Sequence, residues 1–322
     1  MPEPVSPPST GLGRPRLALA IPTYRRSAAV AANMRVMVPE ARRLGIAIHV
    51  SDDSPDTAIA DVVAQHADVV AFHHNPVRLG HDGNVVQALL LPDADFVWLL
   101  GDTLRPAPGC LAAMLAMLDD QDFLFVNAHS RERQDIGPVC GAEGRDLLRR
   151  MLWHQTLTGA TIYGRRVTEW ARAGSPTIHR NFPQISIVLG YSAAADPRIG
   201  WVGRRSFVSE RADTSYWRDQ ALDVFVTDWA NVVTAFAPMF GERAHRAIIK
   251  SHSRNTRLFR TVFLAELRRK GCFVKADFAR NHFRDAMHLS PAIVAVAFCL
   301  PRLVLGLRRF VRAVVPPRRP LP

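Results

Sequence analysis

Leu17-Ala18-Leu19-Ala20-Ile21, running into Pro22-Thr23-Tyr24-Arg25-Arg26, decides the fold class. It is an apolar run of strand length that ends in polar residues able to meet a ligand. The plan recurs in Ile46-Ala47-Ile48-His49-Val50 before Ser51-Asp52-Asp53-Ser54, and in Asp95-Phe96-Val97-Trp98-Leu99-Leu100 before Gly101-Asp102-Thr103. Helix-forming stretches follow at Ala28–Arg43, Thr57–Gln65, Asp82–Leu91 and Pro108–Asp119, with Pro108 suited to a first turn. Strands alternating with helices predict an α/β fold around a mostly parallel central sheet. Ligands bind such sheets outside the carboxyl ends of the strands, so the three polar tips are expected to meet at one crevice.

The rest of the chain reads less regularly. Val69–Phe72 and Phe123–Asn127 are short apolar runs expected as buried strands. Ser130–Gly144 reads as a loop, followed by a helix near Asp146–Trp153 and a strand over Gly159–Tyr163 leading to Arg165-Arg166. A helix is expected over Phe182–Ala194, a hairpin of Ile199–Val202 with Ser206–Val208 around Gly203, and helices over 218–238 and 242–270.

Ile21-Pro22-Thr23-Tyr24-Arg25-Arg26, Ser51-Asp52-Asp53-Ser54, Asn75…Gly80…Asn84 and Trp98-Leu99-Leu100-Gly101-Asp102, in that order, resemble glycosyltransferase family 2 and its GT-A (Rossmann-like) fold. Within that family the likeness is to the abequosyltransferase-like enzymes of bacterial surface polysaccharides. It covers roughly residues 16–130 well and 155–235 loosely. The resemblance implies a nucleotide-diphosphate sugar as donor, a surface glycan or polyprenyl-linked oligosaccharide as acceptor, inversion at the anomeric carbon, and Mg²⁺ or Mn²⁺.

On that resemblance, Pro22, Thr23, Tyr24 and Arg25 cradle base and ribose, and Asp52 or Asp53 accepts a hydrogen bond from a base N–H. Asn84 matches the family's asparagine at the start of the third helix, and Asp102 contacts ribose or metal. Asp52-Asp53-Ser54 also suits a helix-capping turn. Three departures stand out. The aspartate cluster is reduced to Gly101-Asp102-Thr103-Leu104, and a lone carboxylate binds a hard cation weakly, which leaves Arg105 or a basic loop to share the neutralisation. Gly83 stands where an arginine is common, with Arg78 as a substitute. The stretch His179-Arg180-Asn181-Phe182-Pro183-Gln184, where the family places its acidic base, has no carboxylate. His179 is the candidate catalytic base, with Asp196 and Asp213 as alternatives. His73, His74 and His81 read as solvated or hydrogen-bonded histidines, and Gly159–Tyr163 with Trp201 as lining for an acceptor pocket. Trp217 and Trp229 read as core.

Composition narrows the class further. Of 322 residues, 48% are hydrophobic and 22% charged, as in ordinary folded proteins. Cys110, Cys140, Cys272 and Cys299 form no metal-ligand spacing or disulfide framework, which suits a reducing cytoplasm. Met1 to Arg14 lacks the apolar core of a signal peptide and reads as a disordered lead-in. The net charge of +12 is concentrated at one end: residues 241–322 hold 18 of the 41 basic and only 4 of the 29 acidic residues. Such a block attracts phosphates, but no nucleic-acid recognition motif accompanies it. The apolar run Pro291–Pro301 is too short to span a bilayer. Beyond it, Leu303, Val304, Leu307, Phe310, Val311 and Val314 fall on one helical face, opposite Arg302, Arg308, Arg309 and Arg312. That pattern predicts a helix lying in an anionic membrane interface, the alternative being a helix packed on the protein.

The expected organisation is a lead-in over 1–15 and a GT-A domain over 16–238, with a donor half at 16–130 and an acceptor half at 131–238. A basic helical extension over 239–290 and an amphipathic segment over 291–322 complete it. The expected enzyme is a hexosyl- or deoxyhexosyltransferase peripheral to the inner face of the cytoplasmic membrane. The competing expectation is a non-catalytic family member that binds nucleotide sugar or glycan as an assembly partner.

Overall fold

A computed structural model describes residues 14–174, 176–208 and 217–314, without the side chains of 309 and 311–314. Most of the expected lead-in, Asp213 and the tail beyond 314 therefore lie outside the described residues. The chain divides into two compact units, Met1–Ala212 and Asp213–Pro322. The sequence division after 238 thus runs through the second unit.

The first unit opens as read: β1 (Leu17–Thr23), α1 (Ser27–Leu44), β2 (Ala47–Asp52), α2 (Ala58–Ala64), β3 (Val70–His74), α3 (Gly80–Leu90) and β4 (Phe96–Leu99). It continues with β5 (Arg105–Pro106), α4 (Cys110–Met117), β6 (Phe123–Val126), β7 (Ile136–Val139), α5 (Gly141–Met151), β8 (Thr161–Gly164), α6 (Arg165–Gly174), α7 (Pro183–Ala194), β9 (Ile199–Val202) and β10 (Phe207–Val208). Eight strands form one sheet in the order β3-β2-β1-β4-β8-β6-β9-β7, in which only β8 and β7 run against the rest. Helices cover its faces, which explains why β1 is buried nearly along its whole length and reads as a continuous apolar run. α1 buries Val30, Met34, Met37, Val38 and Ala41 along one stripe. It ends at Gly45, whose φ of 66° suits the left-handed cap conformation that glycine adopts without Cβ strain.

β1 lies between β2 and β4, so strand order reverses there, and the carboxyl ends of those strands form the edge where a crevice is expected. Several expectations need correction. Pro108 precedes α4, whose cap is Gly109. Ser130–Gly144 is no plain loop, because it contains β7 and the start of α5. No hairpin joins 199–202 to 206–208: β9 pairs with β6 and β7, and β10 pairs with β5. Gly203 instead donates its N–H to Asp135 Oδ1 at 2.7 Å and accepts from Asn127 Nδ2 at 2.6 Å. Tyr163 and Trp201 are fully buried, so they belong to the core and line no acceptor pocket.

The second unit is helical. A π-helical turn over Asp223–Asp228 leads into α8 (Trp229–Ala235), α9 (Ala237–Phe240), α10 (Glu242–Thr256), α11 (Thr261–Arg269), α12 (Phe283–Ala286), α13 (Pro291–Cys299) and α14 (Pro301–Val314). The helix expected over 242–270 breaks at Arg257, which is left-handed at φ 55°. Trp229 is buried, as read, and its indole N–H donates to Ile249 O at 3.0 Å, tying α8 to α10. α13 and α14 meet at 92°. Arg308 pairs with Glu266 of α11 at 2.7 Å, whereas Leu303, Leu307 and Phe310 are 64%, 62% and 65% exposed. One side of α14 thus packs on α11, as the alternative reading has it, while Leu303, Leu307 and Phe310 stay uncovered. Among the described residues no single helix is long and apolar enough to cross a membrane. The bent pair has that length and composition only when taken together.

Candidate functional site

The three polar tips do share one edge. Thr23 and Asp52 are register partners at the ends of β1 and β2. Thr23 Oγ1 donates to Asp102 Oδ2 at 3.1 Å, and the Asp53 N–H donates to Thr23 O at 3.1 Å. What binds them is Asn84, which is buried in the first half of α3. Its Nδ2 donates to Thr23 O at 3.0 Å and Ser51 O at 3.2 Å, while its Oδ1 accepts from Ser51 Oγ at 2.7 Å and Asn75 Nδ2 at 3.0 Å. Those bonds use both amide hydrogens and both oxygen lone pairs. Asn84 is therefore a staple between strand ends, and its amide has no capacity left for a donor, contrary to expectation.

The neighbouring aspartates separate in the same way. Asp53 accepts from Leu79 N at 2.7 Å, Asn75 Nδ2 at 3.2 Å and Gly80 N at 2.9 Å, which clamps the turn that starts α3. Asp52 is buried too. Its Oδ1 accepts from Ser54 N at 2.9 Å, but Oδ2 has no hydrogen-bond partner, and His74 Nδ1 stands 3.8 Å away. A buried carboxylate oxygen left unpaired costs free energy on the order of 1–3 kcal/mol. Of the two aspartates, Asp52 alone has an oxygen without a hydrogen-bond partner, and that oxygen is itself buried.

Pro22 is half-buried in the last part of β1. Tyr24 is half-buried, and its ring is not bare: the guanidinium of Arg78 lies 4.6 Å from its centroid and that of Arg25 5.3 Å. Arg25 itself is left-handed, with φ 53°. Both arginines thus bring positive charge to this edge. Arg26, which sequence reasoning passed over, contributes more. It caps α1, a helix start without a side-chain cap, and reaches Asp102 Oδ1 at 3.4 Å.

Burial lifts the Asp102 carboxyl above the ordinary aspartate range, against the opposing pull of Arg26, the Thr23 hydroxyl and nearby His81. With Arg26 and Thr23 each holding one oxygen, Asp102 is a poor seat for a divalent cation. No group of three or more metal-ligating side chains exists among the described residues. A Mg²⁺ or Mn²⁺ here would have Asp102 as its one protein carboxylate and would depend on substrate phosphates for most of its ligands, with Arg26 beside it sharing the neutralisation. Arg105, also considered for neutralisation, lies in β5 against β10.

The candidate bases fare unequally. The backbone N–H of His179 donates to Ser186 Oγ at 2.9 Å, the same hydroxyl lies 3.3 Å from its Nδ1, and burial lowers its pKa. Those bonds tie His179 to the first turns of α7. Asp196 lies before β9, at the opposite edge of the sheet, and accepts from Gly141 N at 3.0 Å. Asp196 therefore supplies no carboxylate to the tips. His73 stacks on His49, 5.5 Å between centroids, and desolvation followed by the His73 charge pushes His49 down to about 4, so that ring is neutral near pH 7. His81 differs: its Nδ1 lies 2.7 Å from Asp82 Oδ1.

No family model matches this sequence, and no curated protein resembles it in sequence. Solved structures do resemble it. TarS 1–349 from S. aureus in complex with UDP-GlcNAc aligns with a TM-score of 0.55 at 13% identity, over 92% of each chain. The mannosyltransferase PcManGT from Pyrobaculum calidifontis, in complex with GDP-Man and Mn²⁺, aligns at 0.52 and 14% identity over 94% of this chain and 87% of that one. The fold is GT-A. Against a longer TarS structure the TM-score is 0.53 at 13% identity, and the match covers 82% of this chain but only half of that one. At such identities the GT-A likeness establishes architecture, and the chemistry must come from the edge just described.

Proposed function

We propose that the first unit is a glycosyltransferase that takes a sugar from a nucleoside-diphosphate donor and passes it, with inversion, to a hydroxyl of a surface glycan or polyprenyl-linked oligosaccharide. The observation that carries this reading is the unpaired Oδ2 of buried Asp52 at the strand-order reversal. A ring N–H of the base would satisfy it if donor binding turned this buried carboxylate toward the crevice, and no hydrogen-bond donor of the described protein satisfies it. Arg26, Arg25 and Arg78 stand round the same tips and would neutralise the diphosphate, helped by the uncapped start of α1. The neighbours' UDP-GlcNAc and GDP-Man complexes support a donor of that class. Transfer is a single displacement in which the acceptor oxygen bonds to the anomeric carbon as the diphosphate leaves with the electron pair. The rival reading, binding without transfer, draws on the lack of a carboxylate in 179–184.

A thermal-shift screen across nucleoside diphosphates and their sugars tests the donor site. A native-state ligand at 100 times its Kd adds about 2.7 kcal/mol. The expected result is a shift with at least one nucleotide, retained in EDTA because Arg26 does the neutralising, and reduced about 10- to 100-fold in affinity by Asp52→Asn, which removes one hydrogen bond to a charged group. If no nucleotide shifts Tm, with or without divalent cations, the donor site is refuted.

The second unit is proposed to sit on an anionic membrane, as an enzyme with a lipid-linked acceptor requires. Ile293 and Val296 on α13, Leu300 at the bend, and Leu303, Leu307 and Phe310 on α14 are all exposed, and residues 241–322 around them carry 18 basic residues against 4 acidic. Burying a Leu or Phe side chain is worth about 1.5–3 kcal/mol, and basic residues add salt-sensitive attraction. Full-length protein should co-sediment with anionic vesicles and not with duplex DNA, and Leu303→Asp with Leu307→Asp and Phe310→Asp should release it. Vesicle binding unchanged in that triple variant would exclude the interface.

A further inference from the structure

Carboxylates of the second unit meet cations throughout it: Glu242 pairs with Arg246, Asp219 with Lys270, Asp223 and Asp277 with Arg280, Glu266 with Arg308 and Arg218, and Asp285 lies 4.0 Å from His282. Arg254, Arg257 and Arg260 form no such pair among the described residues, and all three are exposed. They gather nevertheless. Each is close enough for its charge to act on the ring of His288, which is half-buried in the link between α12 and α13. Arg254 lies in the last turn of α10, Arg257 caps that helix with a left-handed φ of 55°, and Arg260 is the N-cap of α11.

We propose that the corner between α10 and α11 is a lipid-phosphate site, in which Arg254, Arg257 and Arg260 hold a phosphomonoester or diphosphate headgroup while the exposed apolar side chains of α13 and α14 enter the bilayer. The inference rests on the membrane reading of this unit and deepens it, from diffuse attraction to a place that takes one kind of headgroup. A guanidinium fork matches two phosphate oxygens at once, so three forks at one spot favour a dianion over the single charge of a phosphodiester.

Helix electrostatics explain only part of this cluster. Cations at the carboxyl end of α10 offset its dipole, and Arg254 and Arg257 stand there. Arg260 stands at the other kind of terminus, where a cation has the wrong sign, and α11 has neither a side-chain cap nor an acid in its first turn. A phosphate beside Arg260 would correct that sign. Arg257 is equally out of place, because a left-handed cap favours glycine and an arginine there is strained. The corner is nonetheless fixed. Phe259 is fully buried, Leu258 N donates to Thr256 Oγ1 at 3.2 Å, and Ser253 Oγ donates to Ala286 O, which ties α10 to α12. Burial, then the three arginine charges, lower the pKa of His288, so its ring is neutral near pH 7 and the arginines carry the charge. The place also suits a bilayer. His288 lies two residues before Ser290, the N-cap of α13, and exposed Ile293 follows in the first turn of that helix. Phosphate contacts and apolar contacts are thus a few residues apart, as headgroup and acyl chain are neighbours in a lipid.

The test uses full-length protein and phosphatidylcholine vesicles that carry either phosphatidic acid, a phosphomonoester, or enough phosphatidylglycerol, a phosphodiester, to reach the same surface charge. Co-sedimentation should give an affinity about tenfold higher for phosphatidic acid, the effect of one added charge-assisted hydrogen bond. Arg254→Gln with Arg257→Gln and Arg260→Gln should abolish that preference. Arg243→Gln with Arg269→Gln and Arg302→Gln removes the same charge at exposed positions elsewhere in the unit. That control should weaken binding to both vesicles alike and keep the preference. Arg257→Gly should reduce the preference without lowering Tm, because glycine relaxes the left-handed cap, so the test stands even if the triple variant folds poorly. Free glycerol 3-phosphate, measured by calorimetry without vesicles, should bind far more weakly than the vesicle-borne phosphate. Four results would overturn the proposal: equal affinity for the two charge-matched vesicles, a preference that survives the corner variants, a preference lost equally in the control, or comparable affinity for free glycerol 3-phosphate, which would assign the corner to a soluble phosphate. Failure of the membrane reading looks different, because then neither vesicle binds and the site falls with it.

Discussion

At the amino end of the sheet Asp122, just before β6, accepts from Arg166 Nε at 2.7 Å, the Tyr191 hydroxyl at 3.1 Å and the Arg198 N–H at 2.8 Å. At the carboxyl end Asp52 has an oxygen with no partner, and Asp102 is buried against one long guanidinium contact and one hydroxyl. The same residue type in the same sheet is thus saturated at one edge and underbonded at the other. The saturated edge ties α6, α7 and β9 together. The underbonded edge gathers the positive charge of Arg25, Arg26 and Arg78, and on the proposed donor-site reading it gives up stability for function.

Two substitutions sharpen the contrast. Asp122→Ala removes the acceptor of the buried Tyr191 hydroxyl and of the Arg198 N–H, a loss on the order of 1–3 kcal/mol for an orphaned buried donor, while half-exposed Arg166 keeps Asp120 at 2.6 Å. Chemical denaturation should show that loss, with nucleotide affinity unchanged in the fraction still folded. A loss of nucleotide affinity with full stability would erase the distinction between the edges. Asp102→Asn should act in the opposite sense and more weakly. Because burial raises the Asp102 carboxyl in the folded state, the wild-type group favours folding most at low pH, and that contribution fades as pH rises through its raised pKa. The Asn variant lacks this fade, so its Tm relative to wild type should climb between acid and neutral pH. A Tm difference that falls over that range would contradict the burial argument.

The strands that end at this edge were legible because each is an apolar run whose polar end is local in sequence: Leu17–Thr23 and Phe96–Leu99 are buried on both faces, and Ala47–Asp52 leaves only Ala47 and His49 partly exposed. What escaped reading depends on partners far apart. β7, Ile-Gly-Pro-Val, is an edge strand, and a proline there reads as a loop. α6 was missed behind Arg165-Arg166, although Val167, Thr168 and Ala171 bury one face at helical spacing. Gly203 suggested a turn, yet its bonds go to Asp135 and Asn127. The roles of Asp52 and Asp53 could not be separated in sequence, since the difference lies in which backbone N–H groups each meets.

The right-angled break between α13 and α14 carries a mechanical consequence. A lone rod floating on a bilayer can roll about its long axis, leaving whatever it carries free to tip. Two arms meeting at 92°, each with its own exposed apolar side chains, cannot roll together, because turning one lifts the other out. Seated on lipid, the second unit would be confined to in-plane drift and spin.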